Sequence, residues 1–387
     1  MRDVVIVDAL RTPIGRFRGA LAPVRADHLG AAVLDALASR NSLDPAQVGD
    51  VIFGNVTQVG EQSANVARTA LLSAGWPASV PGLTIDRKCG SSEAAVHMAA
   101  GQIGAGMRDI VVAGGVESMS RVPMGGNRDV HGEPFGKLLL DAFEMTSQGE
   151  ASERIADRWG ISRGEMDDYA IESHRRAAAA ADAGYFDREI LPLDAARWSG
   201  TGEGGILSAD ETIRRGTSRE KLATLKTSFR ENGRSTAGNS SQISDGAAAL
   251  LLMGADTAQE MGLKPRAVIR AGTTVGSDPT LMLTGPIEAT RRVLDMAGLT
   301  LDQIDLVEVN EAFAPVPMMW MREFGRSAER LNVNGGAIAL GHPLGASGAR
   351  VLVTLLHELE RRGARYGLQT MCCAGGLGTA TIIERVN

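Results

Sequence analysis

The side chains of this chain best suited to covalent and proton-transfer chemistry are scarce: three cysteines and six histidines. Cys89 sits within "TIDRKCGSSEAAVHMAAGQIGAG" (84–106), where a short apolar segment meets an amphipathic pattern. Ala95, Met98, Ala99 and Ile103 recur at helical spacing, and Gly90, Ser91 and Ser92 suit a helix start. The thiol therefore lies at a predicted helix N-terminus. First-turn amides and the positive end of the helix dipole stabilise a thiolate there and lower the thiol pKa, with Glu93 partly opposing them. Such a cysteine is either an activated nucleophile or a small buried hydrophobe, and this stretch alone leaves both open.

A nucleophilic thiol needs a base. His97 lies on the same predicted helix, and His28, His131, His174 and His357 stand among polar residues and read as surface groups. His342 differs. It lies in "NVNGGAIALGHPLGASGARVLVTLLHEL", a glycine-rich turn feeding a helix whose Leu352, Leu355, Leu356 and Leu359 are spaced for burial.

The elements that must position these residues alternate. "VVIVDA", "DVIFGNV" and "DIVVAGGV" read as buried strands and "ADHLGAAVLDALA" as a helix, which makes an α/β chain. The pattern also repeats. "LDPAQVGDVIFGN" (43–55) resembles "LTLDQIDLVEVN" (299–310) at an offset of 310 − 55 = 255, and "DIVVAGGVES" resembles "QTMCCAGGLGT" at 375 − 114 = 261. Cys89 and His342 are separated by 342 − 89 = 253, so matching helix N-termini from two related halves are expected to face one site. Between the halves, residues 118–243 have a different texture, with "PMGGNRDVHGEPFG", the alanine-rich "HRRAAAAADAGYF" and a basic stretch. They read as an inserted loop domain, after which "SQISDGAAALLLMG" returns as a strand to the first half. The boundaries expected are 1–117 plus 244–265 for the first half, 118–243 for the insertion and 266–387 for the second half.

Composition narrows the function. A net charge of −6 and 22% charged residues leave no excess of cations for a nucleic-acid backbone. An odd cysteine count with two adjacent, Cys372 and Cys373, implies no disulfide framework and a reducing, cytoplasmic compartment. No stretch reads as a signal peptide or a membrane span.

"CGSS" with its helix, "NEAFA" (310–314), "NVNGGAIALGHPLGASG" (332–348) and "CCAGGLG" (372–378) resemble the signature blocks of the thiolase family. "VDALRTPIG" and "TAGNSSQISDGAAA" extend the likeness over essentially the whole chain. The resemblance implies two pseudo-symmetric βαβαβ halves in five layers (αβαβα) with an inserted loop domain. It also implies an acyl-CoA C-acyltransferase working as a homodimer or homotetramer. Coenzyme A and acetyl-CoA would be substrates, and no metal or permanently bound cofactor is implied.

Residue by residue, the resemblance makes Cys89 the nucleophile that carries the acyl group and His342 the group that takes its proton. Cys372 becomes the second acid/base, while Cys373, its neighbour in a strand, points to the opposite face. One oxyanion hole would combine His342 with a water held by Asn310, and the other the backbone amides of Cys89 and Ala374. Asn310 also reads as a helix cap for "EAFA", and could serve both roles. Of the basic stretch Arg214, Arg215, Arg219, Lys221, Lys226 and Arg230, the resemblance puts Arg214, with Phe229, at the nucleotide end of CoA. Ser241, Met282 and Phe313 fall near its pantetheine arm.

Departures from the family pattern are Ser92 where many thiolases have glycine, Glu93 beside it, and Ala374 for a glycine. Ser147 and Gln148 stand where biosynthetic thiolases carry a His-Met-Gly run, which puts the size of the acyl pocket in question. The blocks lie nearer to degradative thiolases of lipid or sterol side chains. A biosynthetic acetoacetyl-CoA thiolase, a decarboxylating condensing enzyme and a non-catalytic acyl-CoA carrier are the alternatives; the second would be expected to have a histidine where Asn310 or Cys372 stands.

Overall fold

The computed structural model describes residues 2–128 and 131–386. The first half runs β1 (Val4–Arg11), α1 (Ala26–Arg40), β2 (Asp50–Gly54), α2 (Val66–Ser73), β3 (Gly82–Ile85), α3 (Ser91–Gly104) and β4 (Ile110–Ser118). The insertion contributes α4 (Gln148–Arg158) and α5 (Arg163–Asp182), and the chain re-enters the sheet as β5 (Ser244–Gly254). The second half runs β6 (Ala267–Gly276), α6 (Gly285–Ala297), β7 (Leu306–Val309), α7 (Pro315–Phe324), α8 (Ser347–Arg362), β8 (Tyr366–Cys373) and β9 (Leu377–Arg385).

These strands lie in the order β7-β8-β9-β6-β1-β5-β4-β2-β3. β2 pairs in parallel with β3 and β4, β4 antiparallel with β5, and β5 antiparallel with β1. The second half repeats that order of pairings: β7 with β8 parallel, β8 with β9 antiparallel, β9 with β6 antiparallel. The halves meet where β1 touches β6 over Val5–Val268 and Ile6–Ala267.

Period-two burial along β5 explains the layers. Ala247, Ala249, Leu251 and Met253 face one core with α1 and α2, whereas Ala248, Leu250 and Leu252 face another with α3 and α8. That second core also takes Ala267, Leu306 and Ile383 from the second half, so α3 and α8 form the middle layer between two sheet halves. The far face of the second half packs on α6 and α7. The fold is the expected five-layered thiolase-like one.

One of the two sequence matches is out of register. β2 and β7 correspond at the offset of 255. The pairings Gly54–Gly115 and Val309–Thr370 then make Thr370 the counterpart of Gly115, again 370 − 115 = 255. Gly114 and Gly115 lie inside β4, where a Cβ would collide with the carbonyls of Ala248 and Gly345 respectively. Gly375 and Gly376 instead form the turn after β8 with φ of 86° and 76°. The two Gly-Gly pairs answer different needs, close backbone approach and left-handed turn.

Candidate active site

Cys89 stands two residues before α3, in a turn held from both sides. Asp86 accepts from the Lys88 amide at 2.7 Å. Ser91 Oγ accepts from the Arg87 amide at 2.8 Å and donates to the Lys88 carbonyl at 2.6 Å. Lys88 is held at φ 52°, an unfavourable conformation for a residue with a Cβ. The thiol is buried with Met119, Leu344, Val351, Met371 and Cys373. Burial pushes it up to about 12, against the help of the Cys89 and Ala374 backbone amides. The shift is opposite to the lowering expected at a helix N-terminus, because desolvation of the thiolate outweighs those donors.

His342 precedes α8 and is buried, its ring lowered to about 3 by burial and then by the nearby Arg350 charge. Its tautomer follows from proton counting. Ser347 Oγ donates its single hydrogen to the Pro343 carbonyl at 2.9 Å, so it can only accept from His342 Nδ1, 2.6 Å away. The ring proton therefore sits on Nδ1. Nε2 keeps a lone pair, and it has no protein partner.

Backbone-to-backbone contacts bring the histidine loop onto the first half. A Cβ on Gly345 would strike Asn55 Cα at 2.6 Å and the Gly54 and Val116 carbonyls at 2.7 Å. The Gly345 amide donates to Glu117 at 2.9 Å, and the same carboxylate receives the amides of Val56 and Thr57. The starts of α3 and α8 differ by 347 − 91 = 256, so His342 projects three residues further from its helix than strict equivalence with Cys89 would give.

Cys372 and Cys373 point to opposite faces of β8, as expected for neighbours in a strand. Cys373 packs with Cys89 in the middle layer, and a Cβ on Gly90 would meet its sulfur at 2.7 Å. Cys372 lies on the far face with Ala312, Phe313 and Ala374, where Asn310 Nδ2 reaches its sulfur at 3.7 Å. Its thiol is raised by burial and by the nearness of Cys89. Both cysteines thus border Cys89, and Cys372 alone of the pair takes the contact from Asn310. Asn310 Oδ1 is buried and lacks a protein partner. The residue does not cap a helix, because α7 starts at Pro315 with Ala314 at the cap position.

Among the CoA candidates, Phe229 and Phe313 meet edge to face at 5.7 Å and 79°. Phe229 is 46% exposed, while Phe313 shares a core cluster with Met282, Cys372 and Ala374. The Ser241 amide donates to the Ala312 carbonyl at 3.0 Å. Exposed Arg214 donates to Gln242 Oε1 at 3.1 Å, and the carbonyl of Gln242 accepts from the His342 amide at 3.0 Å. A continuous path thus runs from Arg214 at the surface to the histidine loop. Half of the basic stretch is neutralised within the chain: Arg215 pairs with Asp182, Arg219 with Asp168, and Arg230 with Glu150 and Asp157.

Two histidine readings change. His174 and His357 are buried rather than on the surface, lowered to about 4 and about 3 by desolvation. His174 Nδ1 accepts from the Arg214 amide at 3.1 Å and so anchors that loop. His97 is lowered to about 4 and bonds Thr381 Oγ1 at 2.8 Å. Sequence reasoning missed Ser347, Glu117 and Gln242. Ser347, five residues after His342 at a helix start, carried a local signal; the other two reach the loop from more than a hundred and about a hundred residues away (345 − 117 = 228 and 342 − 242 = 100). Among the described residues no group of three or more His, Cys, Asp and Glu is arranged to hold a metal ion.

Comparison with known proteins agrees with this geometry. Residues 4–256 match the model of the thiolase N-terminal domain and 263–385 that of the thiolase C-terminal domain. The chain is 47% identical to a steroid 3-ketoacyl-CoA thiolase of Mycobacterium tuberculosis, covering 100% of this chain and 95% of that protein. It is 46% identical to an acetyl-CoA acetyltransferase of Chromobacterium violaceum, over 99% of this chain and 100% of the relative. The crystal structure of the Bacillus anthracis acetyl-CoA acetyltransferase superposes with a TM-score of 0.91 at 39% identity, covering 100% of this chain and 99% of that one.

Proposed function

The chain belongs to the thiolase family, and on that premise we propose the reaction its residues perform: CoA-dependent cleavage of 3-ketoacyl-CoA, with the reverse Claisen condensation open to the same site. The carrying observation is one constellation of buried groups. It joins Cys89 to the Cys89 and Ala374 amides, Cys372 to Asn310, and adds a histidine nitrogen held unprotonated.

In cleavage, Cys89 Sγ attacks the 3-keto carbon while its proton passes to His342 Nε2. At rest thiol and imidazole are both neutral, since burial disfavours either charge. The bond between carbons 2 and 3 then breaks. Its electron pair stays on carbon 2 of the departing acetyl-CoA enolate and is protonated there by Cys372. The shortened acyl group remains on Cys89 as a thioester. Incoming CoA gives its thiol proton to the Cys372 thiolate and attacks the thioester; Cys89 leaves and recovers its proton from His342. The amides of Cys89 and Ala374 suit the oxygen of the acyl-enzyme, and Asn310 with His342 that of the enolate.

Arg214 and Phe229 bind the nucleotide end of CoA, and Ser241, Met282 and Phe313 its pantetheine arm. Degradation of lipid or other catabolic 3-ketoacyl chains fits the relatives' names, which include beta-ketoadipyl-CoA thiolase as well as the steroid enzyme. A cytoplasmic dimer or tetramer is part of the same proposal. No helix among the described residues is long and apolar enough to cross a membrane.

The test is CoA-dependent thiolysis of a panel from acetoacetyl-CoA to long and sterol-derived 3-ketoacyl chains, with Cys89→Ala as control. Cleavage that requires Cys89 and peaks at one chain length supports the reading and names the substrate. A folded protein that binds CoA and cleaves none of the panel overturns it.

A further inference from the structure

The sequence leaves a buried carboxylate that the reaction above does not use. Glu93, in the first turn of α3, is fully buried, with its oxygens on Thr379 and Thr381 of β9, the latter at 2.5 Å. Thr379 is also what a Cβ on Gly90 would meet at 2.9 Å, so the same hydroxyl borders the peptide next to Cys89. Ser92, one residue earlier, accepts the Ala349 amide at 2.9 Å. Ala349 lies in the first turn of α8, whose own cap residue Ala346 provides no side-chain bond. Ser92 therefore satisfies across the interface an amide that would otherwise lack an acceptor. Gly348 completes the junction: a Cβ there would strike Glu93 N at 2.5 Å and Glu93 Cβ at 2.8 Å, and Gln369 Nε2 donates to its carbonyl at 2.8 Å.

We propose that Ser92 and Glu93 are positioning residues that fasten the first turns of α3 and α8 and the strand β9 into one junction, fixing Cys89 of one half against His342 of the other. At Gly348 the residues that follow His342 approach those that follow Cys89 to backbone distance. A shift of the junction would move the thiol relative to the imidazole without touching either. The inference rests on the roles of Cys89 and His342 given above.

The experiment is single-turnover acylation of Cys89 by acetoacetyl-CoA in the full-length enzyme, expressed per site counted by the burst amplitude. That counting separates alignment from loss of folded protein. Ser92→Ala and Glu93→Leu are expected to slow acylation per site by roughly 10-fold or more, the scale of lost orienting contacts, with KM little changed. Glu93→Gln keeps a carbonyl for one threonine and an amide for the other, and should recover most of the rate. Unchanged rates per site in Ser92→Ala and Glu93→Leu, even with a lowered Tm, would reduce the junction to a structural one and overturn the proposal. Equal losses in Glu93→Gln and Glu93→Leu would also overturn it. Failure of the underlying reading looks different: Cys89→Ala would then still turn over.

Discussion

The two halves of this molecule share a strand order and each sends a helix into the middle layer, yet their chemistry differs. In the first half the turn before α3 carries Cys89, and β4 passes alongside with Gly115, whose bareness lets the other half's loop lie against it. In the second half the turn before α8 carries His342, and β8 ends in two cysteines, with a glycine turn beyond them. A duplicated scaffold supplies two helix starts at one place; divergence then puts nucleophile on one and base on the other. Where one half contributes a reactive side chain, the other contributes room.

The sharpest way to break that comparison is at Cys372 and Cys373, which differ by one residue and one sheet face. Cys372→Ala should still form acyl-enzyme on Cys89 from an acyl-CoA. It should lose carbon–carbon cleavage by about 10²- to 10⁴-fold, the usual contribution of a positioned acid or base. Cys373→Ala, packed beneath Gly90, should keep turnover near wild type and lose a little thermal stability. Acylation followed by mass spectrometry, beside steady-state thiolysis, separates the two steps; equal turnover of Cys372→Ala and wild type would sink the role given to Cys372.

Next in size is Ser347, which makes the second half's histidine a base. Ser347→Ala leaves Nδ1 without its acceptor, so the proton is free to move to Nε2 and block proton uptake from Cys89. A fall in kcat of roughly 10- to 100-fold is expected. Threonine at 347 should restore part of it. Nitrogen-15 shifts of His342 report the tautomer directly, and an unchanged Nδ1–H pattern in Ser347→Ala would refute the assignment.

How much of this was legible in the sequence depends on whether the signal was local. The strands, the helix at Ser91 and the buried leucines of α8 were readable, because period two and period 3.6 are properties of neighbouring residues. Helical spacing alone does not separate core from edge: Met98 shares the spacing of buried Ala95, Ala99 and Ile103 but is 40% exposed. The ionisation of Cys89 could not be read, because desolvation depends on what packs over the turn, including Leu344 from the far half. The same holds for Glu117, which clamps a loop 345 − 117 = 228 residues away. The family blocks located Asn310 and Cys372, but not that Asn310 would leave the helix cap to Ala314.

Glu93 gives a pH test of the junction between the halves. Burial raises it to about 7 from the usual 4.5, so the folded protein prefers it protonated. The sign follows: its stabilising contribution is fully present below about pH 4.5 and is lost as pH rises through 7, by on the order of 3 kcal/mol if the shift is fully expressed. Glu93→Gln should therefore gain stability relative to wild type between those limits and plateau above them. Buried neutral histidines work the other way. His342, His174 and His357 have lowered folded values, so their contribution is present above about 6.5 and lost as pH falls toward 4 and 3. Denaturant midpoints of Glu93→Gln and wild type across pH 4 to 8 test both trends. A constant difference over that range would mean that Glu93 does not titrate there.

The smallest expected effect separates cations within one segment. Arg214 has a neutral partner, Gln242, whereas Arg219 is paired with Asp168. A phosphate approaching Arg214 meets an uncompensated guanidinium, but one approaching Arg219 must compete with a carboxylate already in place. Both sites are exposed, so the interaction is weak and weakens further with salt. Arg214→Ala should therefore raise KM for CoA by a few fold at unchanged kcat, and the gap from wild type should close as ionic strength rises. Arg219→Ala should leave KM where it was. If the two substitutions weaken CoA equally, the whole stretch acts as a diffuse positive surface and the path from Arg214 through Gln242 to the histidine loop has no special part in binding.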